Sequence, residues 1–228
     1  MEQQLSSSEL AREVVRRLDA QYGRPVWKQR MPPVDELVAC ILSQHTSDVN
    51  SGRAYQQLRE RFPTWEAVMH APTEQVEEAI RPGGLASSKA PRIQAVLRTI
   101  AERNGDTLSL DFLQEMDTES ARRYLLSLPG VGPKTAAIVL CFSMGKPVIP
   151  VDTHVFRVSW RLGFFDRRVG EAKAHDLLQE VVPEEDVYAF HVHLIRHGRQ
   201  VCKAQRPRCE QCVLADLCAY RREQLQAV

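Results

Sequence analysis

Apolar residues recur at three- and four-residue spacing along most of this chain, with polar residues filling the gaps. Leu10, Val14, Leu18 and Tyr22 fall four apart and predict an amphipathic helix that starts after Ser6, Ser7 and Ser8. GRPVW at 23–27 ends it. Pro32 and Pro33 precede DELVACILS, where a helix burying Leu37, Cys40 and Ile41 is expected. The polar QHTSD interrupts that run before another helix resumes through Tyr55 and Leu58, with Asp48 a candidate cap. Thr64 reads as an N-cap with Trp65 in the first turn behind it. PGGLASSK at 82–89 reads as a loop, followed by a helix in IQAVLRTIAE with Ile93, Val96, Leu97 and Ile100 on one face. Asp117 or Thr118 caps a helix carrying Tyr124, Leu125 and Leu128. The next helix is expected from about Pro133 to Met144, with Gly145 ending it. Further helices are expected near 154–162, 171–181 and 187–197. No run alternates strictly enough to propose a sheet, and the prolines of PVIPV at 147–151 argue for a linker. The pattern is all-α.

Two helical bodies follow from it. Residues 27–146 form one bundle; the tail, 147–228, is shorter and needs an extra staple. The apolar face of the first helix must bury against something, and the tail is its candidate partner.

Composition changes little. Of 228 residues, 43 % are hydrophobic and 26 % charged, ordinary values for a globular protein. No stretch is apolar for about 18 residues, and MEQQLSSSEL is not a signal peptide; a cytoplasmic protein without a membrane partner is expected. The net charge of +1 says nothing about nucleic acid, but its distribution does. Arg196, Arg199, Lys203, Arg206 and Arg208 follow one another without an intervening acid, which points to an anion-facing surface.

Candidate chemistry enters at LPGVGPK, residues 128–134. Gly130 and Gly132 allow torsions and close approaches that a Cβ hinders. Pro133 suits a first helical position, making Gly132 the cap and Lys134 the second helical residue. Backbone N–H groups at Leu128, Gly130, Val131 and Gly132 then make a seat for a nucleic-acid phosphate, held without reading bases. Lys134 either complements DNA charge or acts as a nucleophile. The helix dipole favours its neutral amine and a bound phosphate the charged one, a balance left open by the sequence; the neutral amine can attack a sugar C1′ and form a Schiff base. Asp152, in VDTH, reads either as the cap of the next helix or as a carboxylate that steadies charge on the sugar or moves protons. His154 has no distinguishing feature as a base.

Cys40 and Cys141 sit in apolar runs and read as small buried hydrophobes. Cys202, Cys209, Cys212 and Cys218 are separated by six, two and five residues. With one close pair and a long first arm, this spacing favours a [4Fe–4S] cluster over zinc. Such a cluster would staple the tail, and its first arm carries Lys203, Arg206 and Arg208 as DNA-backbone contacts.

LPGVGPKTA, VDTHVFRV, HGRQVC and C-x6-C-x2-C-x5-C, in this order, closely resemble the endonuclease III family of DNA glycosylases, from about Val34 to Cys218. The resemblance implies a helix–hairpin–helix fold of two domains with DNA in the cleft between them. One is a six-helix barrel at 27–146; the other combines the N-terminal helix, 1–26, with 147–228. It implies a monomer that binds double-stranded DNA, flips a damaged base out of the duplex and excises oxidised pyrimidines. Lys134 corresponds to the lysine that attacks C1′, Asp152 to the catalytic aspartate, and the four cysteines to the ligands of the [4Fe–4S] cluster. Strand cleavage 3′ to the abasic site then follows by β-elimination. GGLASSKA resembles the loop whose leucine wedges into the base stack, here Leu85. LSQHTSD departs from the usual LSAQATD: the gap-filling glutamine is replaced by His45, and Gln44 stands one position earlier. Two other readings stay open, a protein that mainly cleaves abasic sites and a non-catalytic DNA-binding protein. The histidines at 191, 193 and 197 read as polar surface or DNA contacts.

Overall fold

A computed structural model describes residues 5–226. Twelve α-helices occur among them: α1 (Ser7–Tyr22), α2 (Pro33–Ser43), α3 (Asp48–Arg61), α4 (Trp65–His70), α5 (Thr73–Ile80), α6 (Ala86–Arg103), α7 (Thr118–Leu126), α8 (Pro133–Ile138), α9 (Thr153–Leu162), α10 (Gly170–Val181), α11 (Val187–Gln200) and α12 (Ala219–Gln226). No strand occurs among the described residues. The chain divides into two compact units, one of Gln29–Lys146 and one of Met1–Lys28 with Pro147–Val228.

In the unit Gln29–Lys146, α2 is the central helix. Leu37, Val38, Ile41 and Leu42 are fully buried, and α2 packs on α3, α6 and α8. Pro33 starts α2 at its first position, and Thr64 caps α4 by accepting from the Ala67 N–H. Asp48 is not the cap of α3: Ser47 accepts from the Asn50 N–H and Asp48 is the first helical residue. The loop expected at 82–89 is shorter than its composition suggests. Only Arg81–Leu85 precede α6, and Ser87, Ser88 and Pro91 all lie within the helix. Tertiary anchoring overrides weak propensity here. Lys89 is buried and donates from Nζ to the carbonyls of Leu42 (2.7 Å) and Gly83 (2.8 Å), while Ala90 is fully buried beside it. The helix expected from Pro133 to Met144 is regular only to Ile138 and widens into a π turn at Val139–Ser143. Gly145, at φ +67°, ends it with its N–H on the Cys141 carbonyl.

In the other unit, Ser6 and Glu9 form a capping box at the start of α1. Ala11, Val14, Val15 and Leu18 are buried as α1 packs on α11. Arg17 adds an ion pair to Asp216 and a bond to the Val213 carbonyl, tying the same helix to the cysteine-rich loop. Pro147–Val151 is irregular but buried from Val148 onward. Its backbone is satisfied by side chains: Gln179 bonds Ile149 N–H and the Pro147 carbonyl, His175 the Ile149 carbonyl, and His191 the Pro150 carbonyl. This segment delivers Asp152 to the head of α9.

Candidate functional site

The turn between α7 and α8 is held by its two apolar residues. Leu128 and Val131 are buried, and their N–H groups are already used, on the Leu125 and Leu128 carbonyls. Of the four positions expected to offer amides to a phosphate, these two therefore brace the turn instead. The N–H groups of Gly130, Gly132 and Lys134 have no acceptor among the described residues. Gly132 is the N-cap, Pro133 the first helical residue and Lys134 the second, with its side chain exposed. The two glycines differ. Gly130 stands at φ +74°, and a Cβ there would lie 2.5 Å from Cδ of Arg92. Gly132 is in ordinary extended backbone with nothing within 4 Å of a would-be Cβ. No protein atom excludes a side chain at 132, and the backbone there is open to close approach from outside.

Two loops of the same unit carry the residues expected to open the duplex. Leu85 precedes α6 at φ +51°, with 57 % of its surface exposed. His45 is exposed at φ +53°. Left-handed backbone costs a non-glycine residue about 1–2 kcal/mol, and both residues bear that cost while holding a large side chain out in solvent. Gln44 is half-buried, and Arg92 donates to its Oε1 at 2.7 Å. Arg92 was not singled out by sequence, because an arginine on a polar helix position carries no periodic or motif signal.

Near Lys134, Cys40 lies buried within its electrostatic influence; burial and the neighbouring Glu36 push the thiol up to about 12. It is the small hydrophobe that its sequence context suggests. Cys141 is buried and pushed up to about 12 in the same way.

Asp152 caps α9. Its Oδ1 accepts from the N–H groups of His154 (2.9 Å) and Val155 (2.7 Å). Oδ2 has no partner among the described residues, so one oxygen fixes the carboxylate and the other remains able to accept. The two roles weighed for this residue are thus compatible. His154 bonds Arg157 through Nδ1, and Arg157 reaches the Gly198 and Cys202 carbonyls, which makes His154 part of the α9–α11 joint.

Cys202, Cys209, Cys212 and Cys218 are free thiols lining one cavity, together with Arg161, Val201, Pro207, Ala215 and Tyr220. Four thiols on one cavity are the ligand set that an iron–sulfur cluster takes. Arg161 is buried, donates to Cys202 Sγ at 3.3 Å and to the Lys203 and Ala204 carbonyls, and has an Nε without a partner. A buried guanidinium with a spare donor suits an anionic thiolate cluster. His197 stands 3.3 Å from Cys212 Sγ through Nε2 and 3.1 Å from the Tyr22 hydroxyl through Nδ1. The tautomer with the proton on Nε2 satisfies both bonds, the hydroxyl donating to Nδ1 and Nε2–H donating to sulfur. Burial lowers the His197 pKa to about 4, which keeps the ring neutral. Burial and the neighbouring thiols raise Cys212 to about 11. Lys203, Arg206 and Arg208 are exposed and have no ion-pair partner among the described residues.

The three histidines differ from expectation. His191, His193 and His197 are all at most 3 % exposed. His191 holds the Pro150 carbonyl, His193 bonds Asp19 of α1, and His197 faces Cys212. They join internal elements and offer no surface for DNA.

Comparison with known proteins places this geometry. Residues 38–184 match the family described as HhH-GPD superfamily base excision DNA repair protein, and residues 202–218 match the iron–sulfur binding domain of endonuclease III. The chain belongs to this family of helix–hairpin–helix base excision repair proteins. It is 35 % identical over 214 residues to endonuclease III of Thermotoga maritima, covering 94 % of this chain and 92 % of that one. Against endonuclease III of Escherichia coli the figure is 37 % over 189 residues, 83 % and 84 % covered. A solved non-covalent endonuclease III–DNA complex superposes with TM-score 0.80 at 29 % identity, covering 97 % of this chain and 99 % of that one. A trapped covalent endonuclease III–DNA intermediate gives 0.79 at 30 %, with the same coverage. Within the family, then, the chain is an endonuclease III type enzyme: a DNA glycosylase and abasic-site lyase that binds double-stranded DNA and carries an iron–sulfur domain. No helix among the described residues is long and apolar enough to cross a membrane.

Proposed function

We propose that this enzyme excises oxidised pyrimidines from duplex DNA, with Lys134 as nucleophile and Asp152 as the carboxylate that manages charge and protons. The observation carrying the proposal is the exposed amine of Lys134, set one residue behind Pro133 in a hairpin whose Gly130 and Gly132 amides have no acceptor among the described residues. Those amides would hold a backbone phosphate, fixing the strand while the damaged nucleotide rotates out. The Lys134 lone pair attacks C1′, and the bond from C1′ to the base breaks with its electrons leaving on the base. Loss of a proton from nitrogen and opening of the sugar ring give the imine. The imine acidifies the C2′ hydrogen; a base removes it, and the C3′–O bond breaks with the phosphate as leaving group. Asp152, held through Oδ1 with Oδ2 available, suits stabilising the sugar cation and shuttling these protons.

Cys202, Cys209, Cys212 and Cys218 would hold a [4Fe–4S] cluster whose contribution is to fold the loop. Lys203, Arg206 and Arg208 would then meet DNA phosphates, and Leu85 and the loop of Gln44 and His45 would approach the opened base pair. We assign the enzyme to the cytoplasm, acting as a monomer, in keeping with six free cysteines and a DNA substrate.

Borohydride trapping on duplexes bearing thymine glycol or an abasic site tests the reading. A covalent adduct on both, abolished in Lys134→Ala, is the expected result. An adduct on abasic DNA alone would leave strand cleavage as the main activity, and none on either would remove Lys134 as nucleophile.

A further inference from the structure

Helix α6 carries two cations, three residues apart, that fasten together the loops on which the proposed DNA contacts stand. Lys89 is buried and joins the Leu42 carbonyl, at the end of α2, to the Gly83 carbonyl, just before Leu85. Arg92 does the same one turn on, but with a different kind of grip. Its Nη1 donates to Gln44 Oε1 at 2.7 Å, and its aliphatic stem lies against Gly130 so closely that a Cβ there would fall 2.8 Å from Cγ. Gly130 therefore leaves room for this stem, in addition to taking a left-handed torsion. One side chain touches both the phosphate-facing turn and the loop carrying Gln44 and His45.

This contact decides which side chain of that loop is free. Gln44 has one amide oxygen, and Arg92 occupies it with a charge-assisted bond. His45 projects into solvent from left-handed backbone. We propose that Arg92 is a specificity-determining positioning residue: it ties Gln44 back against α6, so that His45 alone confronts the base left opposite the flipped nucleotide. The inference rests on the glycosylase reading above. Freed from Arg92, Gln44 would offer a paired donor and acceptor to that base, and the enzyme would discriminate among opposite bases differently.

The test measures single-turnover excision of thymine glycol opposite adenine and opposite guanine by wild type, Arg92→Met, Arg92→Lys, Gln44→Ala and the Arg92→Met/Gln44→Ala double variant. Arg92→Met keeps the stem against Gly130 and removes the donor. The expected result is at least a threefold change in the adenine-to-guanine rate ratio in Arg92→Met, with little change in melting temperature. Arg92→Lys should restore the wild-type ratio, and the double variant should return to it because the released amide is gone. An unchanged ratio in Arg92→Met, or a change that survives Gln44→Ala, overturns the inference. Borohydride trapping by the wild type reads the underlying reaction separately: if wild type forms no adduct, the glycosylase reading fails; if it does, a flat ratio condemns only the role of Arg92.

Discussion

Two loops of this protein, each proposed above to contact DNA, are built in opposite ways. The hairpin at 128–132 is braced from within by buried Leu128 and Val131 and leaves the Gly130 and Gly132 amides without an acceptor among the described residues. The loop at 202–218 buries one apolar residue, Leu214, and offers exposed side chains: Lys203, Arg206 and Arg208. A hydrophobic core can hold a turn rigid, but only where apolar residues are available to face inward. Where the sequence supplies thiols instead, a bound cluster must take the place of that core. The hairpin should therefore be robust to metal loss and sensitive to a single methyl group, and the cysteine loop the reverse.

The comparison breaks most sharply at the thiols. Cys212→Ser should yield protein without a visible iron–sulfur band and with DNA affinity lowered by at least tenfold. Circular dichroism should show that most of the helix content remains. Full affinity in such a preparation would mean that the loop is shaped without a cluster. Replacing Lys203, Arg206 and Arg208 together by alanine comes next. The slope of log affinity against log salt should become shallower by about 2–3, since each phosphate contact contributes roughly 0.9, while the cluster band stays intact. An unaltered slope would show that these cations do not meet phosphates.

The smallest substitutions sharpen the hairpin side. Gly132→Ala should leave the melting temperature near the wild-type value, because no protein atom lies within 4 Å of the added carbon, and should weaken DNA binding several-fold. Gly130→Ala should instead destabilise the fold by about 1–2 kcal/mol, from left-handed torsion and the displaced Arg92 stem. If thermal unfolding ranks the two substitutions the other way, the division between a ligand-facing and a protein-facing glycine is wrong.

Local grammar made much of this legible before any coordinates. The threonine cap at 64, proline at the start of α8, apolar spacing for α1 and the approximate ranges of α9 through α11 all follow from short-range physics, which acts the same in any fold, although α1 starts at Ser7 rather than after Ser8 and α2 at Pro33 itself. The hairpin and the cysteine spacing were readable for the same reason, since each is a contiguous motif. The α6 start was misread because Pro91 and the serines speak against a helix locally, whereas Lys89 anchors it through carbonyls 47 and 6 residues away. Histidine placement failed likewise: nothing local distinguishes a surface imidazole from one bonded to Asp19 or Cys212.

By itself, the sequence determined the helical elements, the turn that precedes Lys134 and a set of four thiols able to hold one cofactor. Tertiary structure alone decided that Lys89 reaches the Leu42 carbonyl, that His193 meets Asp19, and that Arg92 reaches both Gln44 and Gly130. The physical reason is range. Caps and periodicity are settled within a few residues, while a side chain's partner depends on which distant segments packing brings beside it.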